Sequence, residues 1–119
     1  RLKYWPRNHG DDRWKRGHAR IFEIWGSNAP NPTGAMDDSW IPLGRFESLK
    51  PSGTGSQITQ EDIAFAQEGI EFEFAVSDFA PNPFTPVRYI RFRTIATYAF
   101  ASFSTVHILE ISFWGELVN

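Results

Sequence analysis

The side chains from which chemistry could be built are few. The histidines stand at His9, His18 and His107, without the HExxH spacing that would put two imidazoles on one helix face around a metal. Acidic neighbours occur as Asp37-Asp38 and Glu61-Asp62, in a turn and at a helix start, where solvation and capping account for them. Glycoside hydrolysis needs two carboxylates flanking a cleft, which adjacency in sequence does not supply. There is no nucleophile elbow and no phosphate-cradling glycine loop. The absence of cysteine removes a disulfide framework, a thiolate zinc site and a cysteine nucleophile together. What remains is recognition by planar polar groups and rings. Arg7, Asn8 and His9 form one such polar run, and Trp14 follows in the same segment. The reading is a binding protein, not an enzyme.

Those groups need a scaffold, and the segment from Tyr4 to Asn28, YWPRNHGDDRWKRGHARIFEIWGSN, describes one. It reads as a strand ending in Pro-Arg, a long polar and aromatic loop, then a strand ending in Gly-Ser-Asn. A strand that opens into such a loop presents contact groups on a fixed base. Pro6 cannot donate a ladder hydrogen bond and marks the exit of the first strand. Gly26, Ser27, Asn28 and Pro30 carry the turn chemistry that stops the second.

Strand-like runs are expected at Leu2 to Trp5, Ile21 to Gly26, Ile41 to Glu47, Ile70 to Val76, Val87 to Ile95 and Val106 to Trp114. The clearest is Ile70 to Val76, where Ile70, Phe72, Phe74 and Val76 alternate with Glu71, Glu73 and Ala75. Thr59 to Glu68 is the exception and predicts a short helix within a loop. Thr59 with Asp62 resembles a capping arrangement, Gly69 stops the helix, and Ile63, Phe65 and Ala66 would form its apolar stripe. Many short strands with generous loops predict an all-β sandwich or jelly roll.

The chain of 119 residues suits one domain with a single core, and its 11 Phe, 5 Trp and 3 Tyr would carry much of the burial. The formal charge of −2 argues against a dedicated nucleic-acid binder. No run has the length of a transmembrane helix. The chain starts at Arg1 without Met, so its targeting is not legible. Glu71 and Glu73 share one strand face, as do Arg91 and Arg93; antiparallel pairing of those strands would make them cross-strand partners.

The pattern YWPR, loop, RIFEIWGSN, then Trp40 in DSWIPLG resembles the discoidin or coagulation-factor type C domain, a galactose-binding-like fold. VRYIRFRT and VHILEISFWG match its two closing strands. More narrowly, EIWGSN, FESLKPSG, EDIAFAQEGIEFEF and EISFWG look like the uncharacterised C-terminal discoidin-like domain of Bacteroidetes surface proteins encoded beside glycan-uptake systems. The resemblance implies a discoidin-like jelly-roll β-sandwich over residues 1–119, N-terminally incomplete because the family's first strands and early Asp-Gly-Asp turn would precede the Pro-Arg strand. It also implies an exported protein at the cell surface, outer membrane or periplasm. The family's structural calcium lies between that early turn and a Glu on the last strand, here Glu110. With the turn missing from this sequence, no cofactor is expected otherwise.

Up-and-down strands would gather the loops Arg7 to Ala19, Leu49 to Gly69 and Ala96 to Thr105 at one end, and Asn28 to Ser39 and Ser77 to Pro86 at the other. Relatives that bind galactose-like sugars use the Pro-Arg end. There Arg7, Asn8 and His9 would read hydroxyls, and Trp14, Tyr98, Phe100 and Phe103 would offer ring faces. Alternatives remain open at each. Arg7 could brace its own loop, His9 could be a solvated loop histidine, and Trp14 could cover the core edge. Trp5, Trp25, Trp40 and Trp114 are read as packing or strand-edge residues. The expected partners are glycan or the neighbouring domains of a larger surface protein. Docking without sugar is the second reading and lipid-headgroup binding, with Trp14 beside Arg13, Lys15 and Arg16, the third.

Overall fold

The computed structural model describes residues 1–7, 14, 18–53, 57–98 and 108–116. Within them the chain forms β1 (Leu2–Pro6), β2 (Ala19–Ser27), β3 (Ile41–Glu47), α1 (Gln60–Glu68), β4 (Ile70–Phe72), β5 (Tyr89–Thr97) and β6 (Ile108–Phe113). Two three-stranded sheets result, ordered β4-β1-β6 and β3-β2-β5, and every pairing is antiparallel. The architecture is a β-sandwich with one short helix, as the many short strands predict. No helix among the described residues is long and apolar enough to cross a membrane.

The alternation along β2 explains the sandwich. Phe22 and Ile24 are fully buried and point at the other sheet, so Glu23 and Trp25 face outward. Phe22 is the hub of the core. Its ring stacks on Phe92 of β5 at 4.6 Å, meets Phe72 of β4 edge-on at 5.2 Å, and tilts against Phe46 of β3 at 5.5 Å and Tyr4 of β1 at 6.2 Å. One ring therefore ties both sheets together, with area burial that dominates its neighbourhood.

Several expectations need correction. The run Ile70 to Val76 is a strand only to Phe72, because β1 pairs Leu2 with Phe72 and the ladder ends there. The inward alternation outlasts the ladder by one step: Phe74 still packs against the core and meets Phe46 at 5.4 Å. Val76 is largely exposed. The fifth strand starts and ends two residues later than expected, at Tyr89–Thr97. The last is Ile108–Phe113, with residues 106–107 outside the described set.

The glutamate and arginine pairs do not meet, since β4 and β5 lie in different sheets. Glu71 pairs with Arg1 at 3.3 Å. Arg93 stands opposite Glu23 in the β2–β5 register and reaches it at 3.6 Å. In α1 the buried side chains are Asp62 and Ala66, while Phe65 is partly exposed, so the stripe is narrower than expected.

Candidate functional site

Described residues of the three loops expected at the Pro-Arg end meet in a buried cluster. Tyr98, just beyond β5, donates its backbone N–H to His18 O at 3.1 Å and its hydroxyl to Ser48 O, just beyond β3. Trp14 donates its indole N–H to the Asp62 carbonyl in α1 at 2.8 Å. The loops after β1, β3 and β5 are thereby fastened to one another.

Trp14 sits at φ 58°, the left-handed region that costs a bulky side chain strain. Contacts on both sides repay it. Its backbone N–H donates to Nδ1 of His18 at 2.9 Å, its ring stacks on the His18 imidazole at 4.2 Å, and Tyr98 meets it edge-on at 5.3 Å. Trp14 is 3% exposed. As an open stacking platform for a ligand it is therefore corrected: the ring is part of the core, and its hydrogen bond and ring contacts are made inside the fold.

His18 is the centre that the sequence reading passed over. It is fully buried, with Tyr4 edge-on at 5.7 Å and Tyr98 at 5.2 Å. Since Nδ1 accepts from Trp14, the ring's hydrogen belongs on Nε2, which has no hydrogen-bond partner. Burial pushes the imidazole pKa down to about 3, so the ring is neutral at ordinary pH. The signal available in sequence was its position immediately before the second strand, where an inward side chain caps the sandwich end.

Asp62 locks the third side of this end. Burial alone would raise its pKa, but hydrogen bonds outweigh that and hold the carboxyl at about 2. Ser52 donates its backbone N–H at 3.0 Å and its hydroxyl at 2.6 Å, and Thr59 its backbone N–H at 2.9 Å. The Thr59 hydroxyl accepts from the Asp62 N–H at 3.1 Å, completing the capping box that the spacing predicts. Ser52 was not foreseen, because nothing local links it to the helix start.

Of the other expected contact residues, Arg7 is exposed at this end and Tyr98 is half-buried beside Trp14. Asn8, His9, Phe100 and Phe103 lie outside the described residues. Glu110, the expected calcium ligand, is exposed on β6 opposite Trp5. Among the described residues no three His, Asp or Glu side chains converge as ligands.

The other end of the sandwich carries a groove of about 600 Å³ between the sheets. Leu43, Phe74, Phe84, Ile90, Phe113 and Trp114 line it, with Arg1 at the edge. Phe84 is 70% exposed, on a stretch braced by Pro83 and Pro86 and by the Thr85 N–H donating to Asn82 O at 3.3 Å. The Arg1 guanidinium lies 4.4 Å over the Trp114 ring.

A family model described as a domain of unknown function, DUF5000, matches residues 1–115, and the chain belongs to that family. Among solved structures, the SusE-like protein BT2857 is similar, with a TM-score of 0.75 and 31% sequence identity over 92% of this chain. The chain spans 39% of that structure's length. No curated protein matches it.

Proposed function

We propose that this member of the DUF5000 family is a non-catalytic carbohydrate-binding domain of a bacterial exported or cell-surface protein, with a discoidin-like jelly roll that takes glycan at its Pro-Arg end. The observation that carries the reading is the hydrogen-bonded junction at that end, where Trp14, Asp62 and Tyr98 tie described parts of three loops together, with Arg7 exposed just beyond β1. Loops tied together at their base lower the ordering cost of presenting polar groups to a ligand. The name of the similar structure, SusE-like, supports the same reading. So does the resemblance of EIWGSN and EISFWG to surface proteins of Bacteroidetes glycan-uptake systems.

The test is a glycan array followed by calorimetry on the wild type and Arg7→Ala. A sugar bound by the first and at least tenfold weaker in the second supports the reading. A folded domain that binds no glycan defeats it. Trp14→Ala is unsuitable here, because removing a core ring confounds binding with folding.

A second reading is favoured by the groove at the far end. Exposed rings held on a proline-braced segment suit docking onto a neighbouring domain of a larger protein. Absence of sugar binding, with the groove protected from hydrogen exchange in the full-length parent, would select it.

A further inference from the structure

The outward face of the β3-β2-β5 sheet holds an arginine array that neither end of the sandwich uses. The β2–β5 register sets Arg93 opposite Glu23 and Arg91 opposite Trp25, and the β2–β3 register sets Arg45 opposite Glu23. Three guanidinium groups, one from β3 and two from β5, thus share one face on either side of β2. Glu23 is their central carboxylate, only 5% exposed, accepting from the Trp25 indole N–H at 3.1 Å. Arg45 reaches it at 3.8 Å and Arg93 at 3.6 Å. One carboxylate between two arginines leaves most of their ten N–H donors unspent, at about five per guanidinium. The Arg93 side chain keeps 52% of its surface open to solvent.

Arg91 has no such partner. Its guanidinium lies 4.7 Å over the ring of Trp40, and among the described residues no carboxylate is within ion-pair distance of it. Stacking on a buried indole fixes the plane of the fork while leaving its edge donors free. Trp40 itself is nearly buried, and its Nε1 has no hydrogen-bond partner. Next along the same strand face comes Tyr89, half-exposed. Successive outward residues on a strand stand about 6.6 Å apart, so Tyr89, Arg91 and Arg93 make a row of one ring and two forks.

We propose that this face is a binding surface for an acidic polysaccharide, with Arg91 and Arg93 holding carboxylate or sulfate groups and Tyr89 lying against a sugar ring. A planar fork with free donors matches those anions bidentately. The short row suits a polymer of spaced anions better than a nucleic acid, which would require a broadly basic domain; the chain carries a net −2. The inference keeps the carbohydrate reading for the ligand class but moves it to a separate surface, and the two can fail separately.

The experiment titrates polygalacturonate, chondroitin sulfate, a neutral β-glucan and polyglutamate into the wild type, Arg91→Gln, Arg93→Gln and Arg7→Ala at about 0.15 M salt, where exposed charges are screened beyond about 8 Å. Arg91→Gln breaks no ion pair, so it tests the face without disturbing Glu23. The expected result is binding of at least one acidic polysaccharide, weakened about tenfold or more in Arg91→Gln, weakened in Arg93→Gln, and unchanged in Arg7→Ala. Preference between the uronate and the sulfate polymer identifies the anion. No binding of either acidic polymer overturns the proposal, even if the β-glucan binds and only Arg7→Ala loses it. Acidic-polymer binding that only Arg7→Ala abolishes overturns it in favour of the loop end. Equal binding of polyglutamate reduces the face to a generic charge patch and overturns the saccharide assignment.

Discussion

At the scale of single residues, the buried polar groups set how the domain responds to acid. His18 has a folded pKa of about 3 against an ordinary value of 6.5. The unfolded chain therefore binds a proton that the folded one refuses across that window. Stability from this group is present in full above pH 6.5 and is lost as pH falls toward 3. Linkage puts the loss between pH 7.5 and 5 at about 2 kcal/mol. Urea unfolding at those two values should show a decrease of that size, and the His18 ring should remain neutral in an NMR titration at pH 5. A ring signal that titrates near 6.5 would sink the assignment. Asp62 works the other way in charge but the same way in pH: its contribution holds above 3.8 and disappears as pH falls through about 2. Removing its carboxylate strands the donors from Ser52 and Thr59 and uncaps α1. Asp62→Ala should cost about 3 kcal/mol in urea unfolding, against about 1 kcal/mol for Ser52→Ala. A cost equal to the serine variant would mean that the carboxylate is only a helix cap.

At the scale of elements, what the sequence announced and what it hid divide along a physical line. The capping box of Thr59 and Asp62, the stop at Gly69 and the bounds of β3 are local signals, and each stands where the spacing predicts. Pairing is not local. The alternation from Ile70 onward correctly turns Phe72 and Phe74 inward, yet only β1 decides how many of those residues join a ladder. Likewise the two glutamates and two arginines look complementary until the sheet order separates them. The candidate site was legible as a set of loops that meet, but the burial of Trp14 was not. A tryptophan among charges gives no sign that its neighbours will fold over it, as happens to Trp14. Gly69 shows how tightly α1 is then joined to β1. Its φ of 93° is left-handed, and a Cβ there would lie 2.7 Å from the Lys3 side chain and the Trp5 ring. Both faults add for Gly69→Ala, which should destabilise by about 2 kcal/mol or more in urea unfolding. A change below about 0.5 kcal/mol would show that the helix-to-strand turn can shift away from β1.

At the scale of the whole molecule, apolar surface is spent unevenly, and the imbalance separates what folds the domain from what is left for a partner. Phe22 is fully buried at the centre, touching rings from β1, β3, β4 and β5. Phe84 is equally large but 70% exposed, over a groove that also shows parts of Phe113 and Trp114 to solvent. Truncating the first leaves a cavity between the sheets and removes its burial, so Phe22→Ala should cost about 3–5 kcal/mol. Truncating the second removes a ring that contributes little to the core, so Phe84→Ser should stay within about 0.5 kcal/mol of wild type. The groove then supplies a readout that stability does not. An environment-sensitive apolar dye should bind the native domain there, and Phe84→Ser should weaken that binding while leaving the urea midpoint in place. Dye binding unchanged in Phe84→Ser would locate the accessible apolar surface elsewhere. A large loss of stability in the same variant would mean that the proline-braced segment closes the core, and the docking reading of this end would lose its main support.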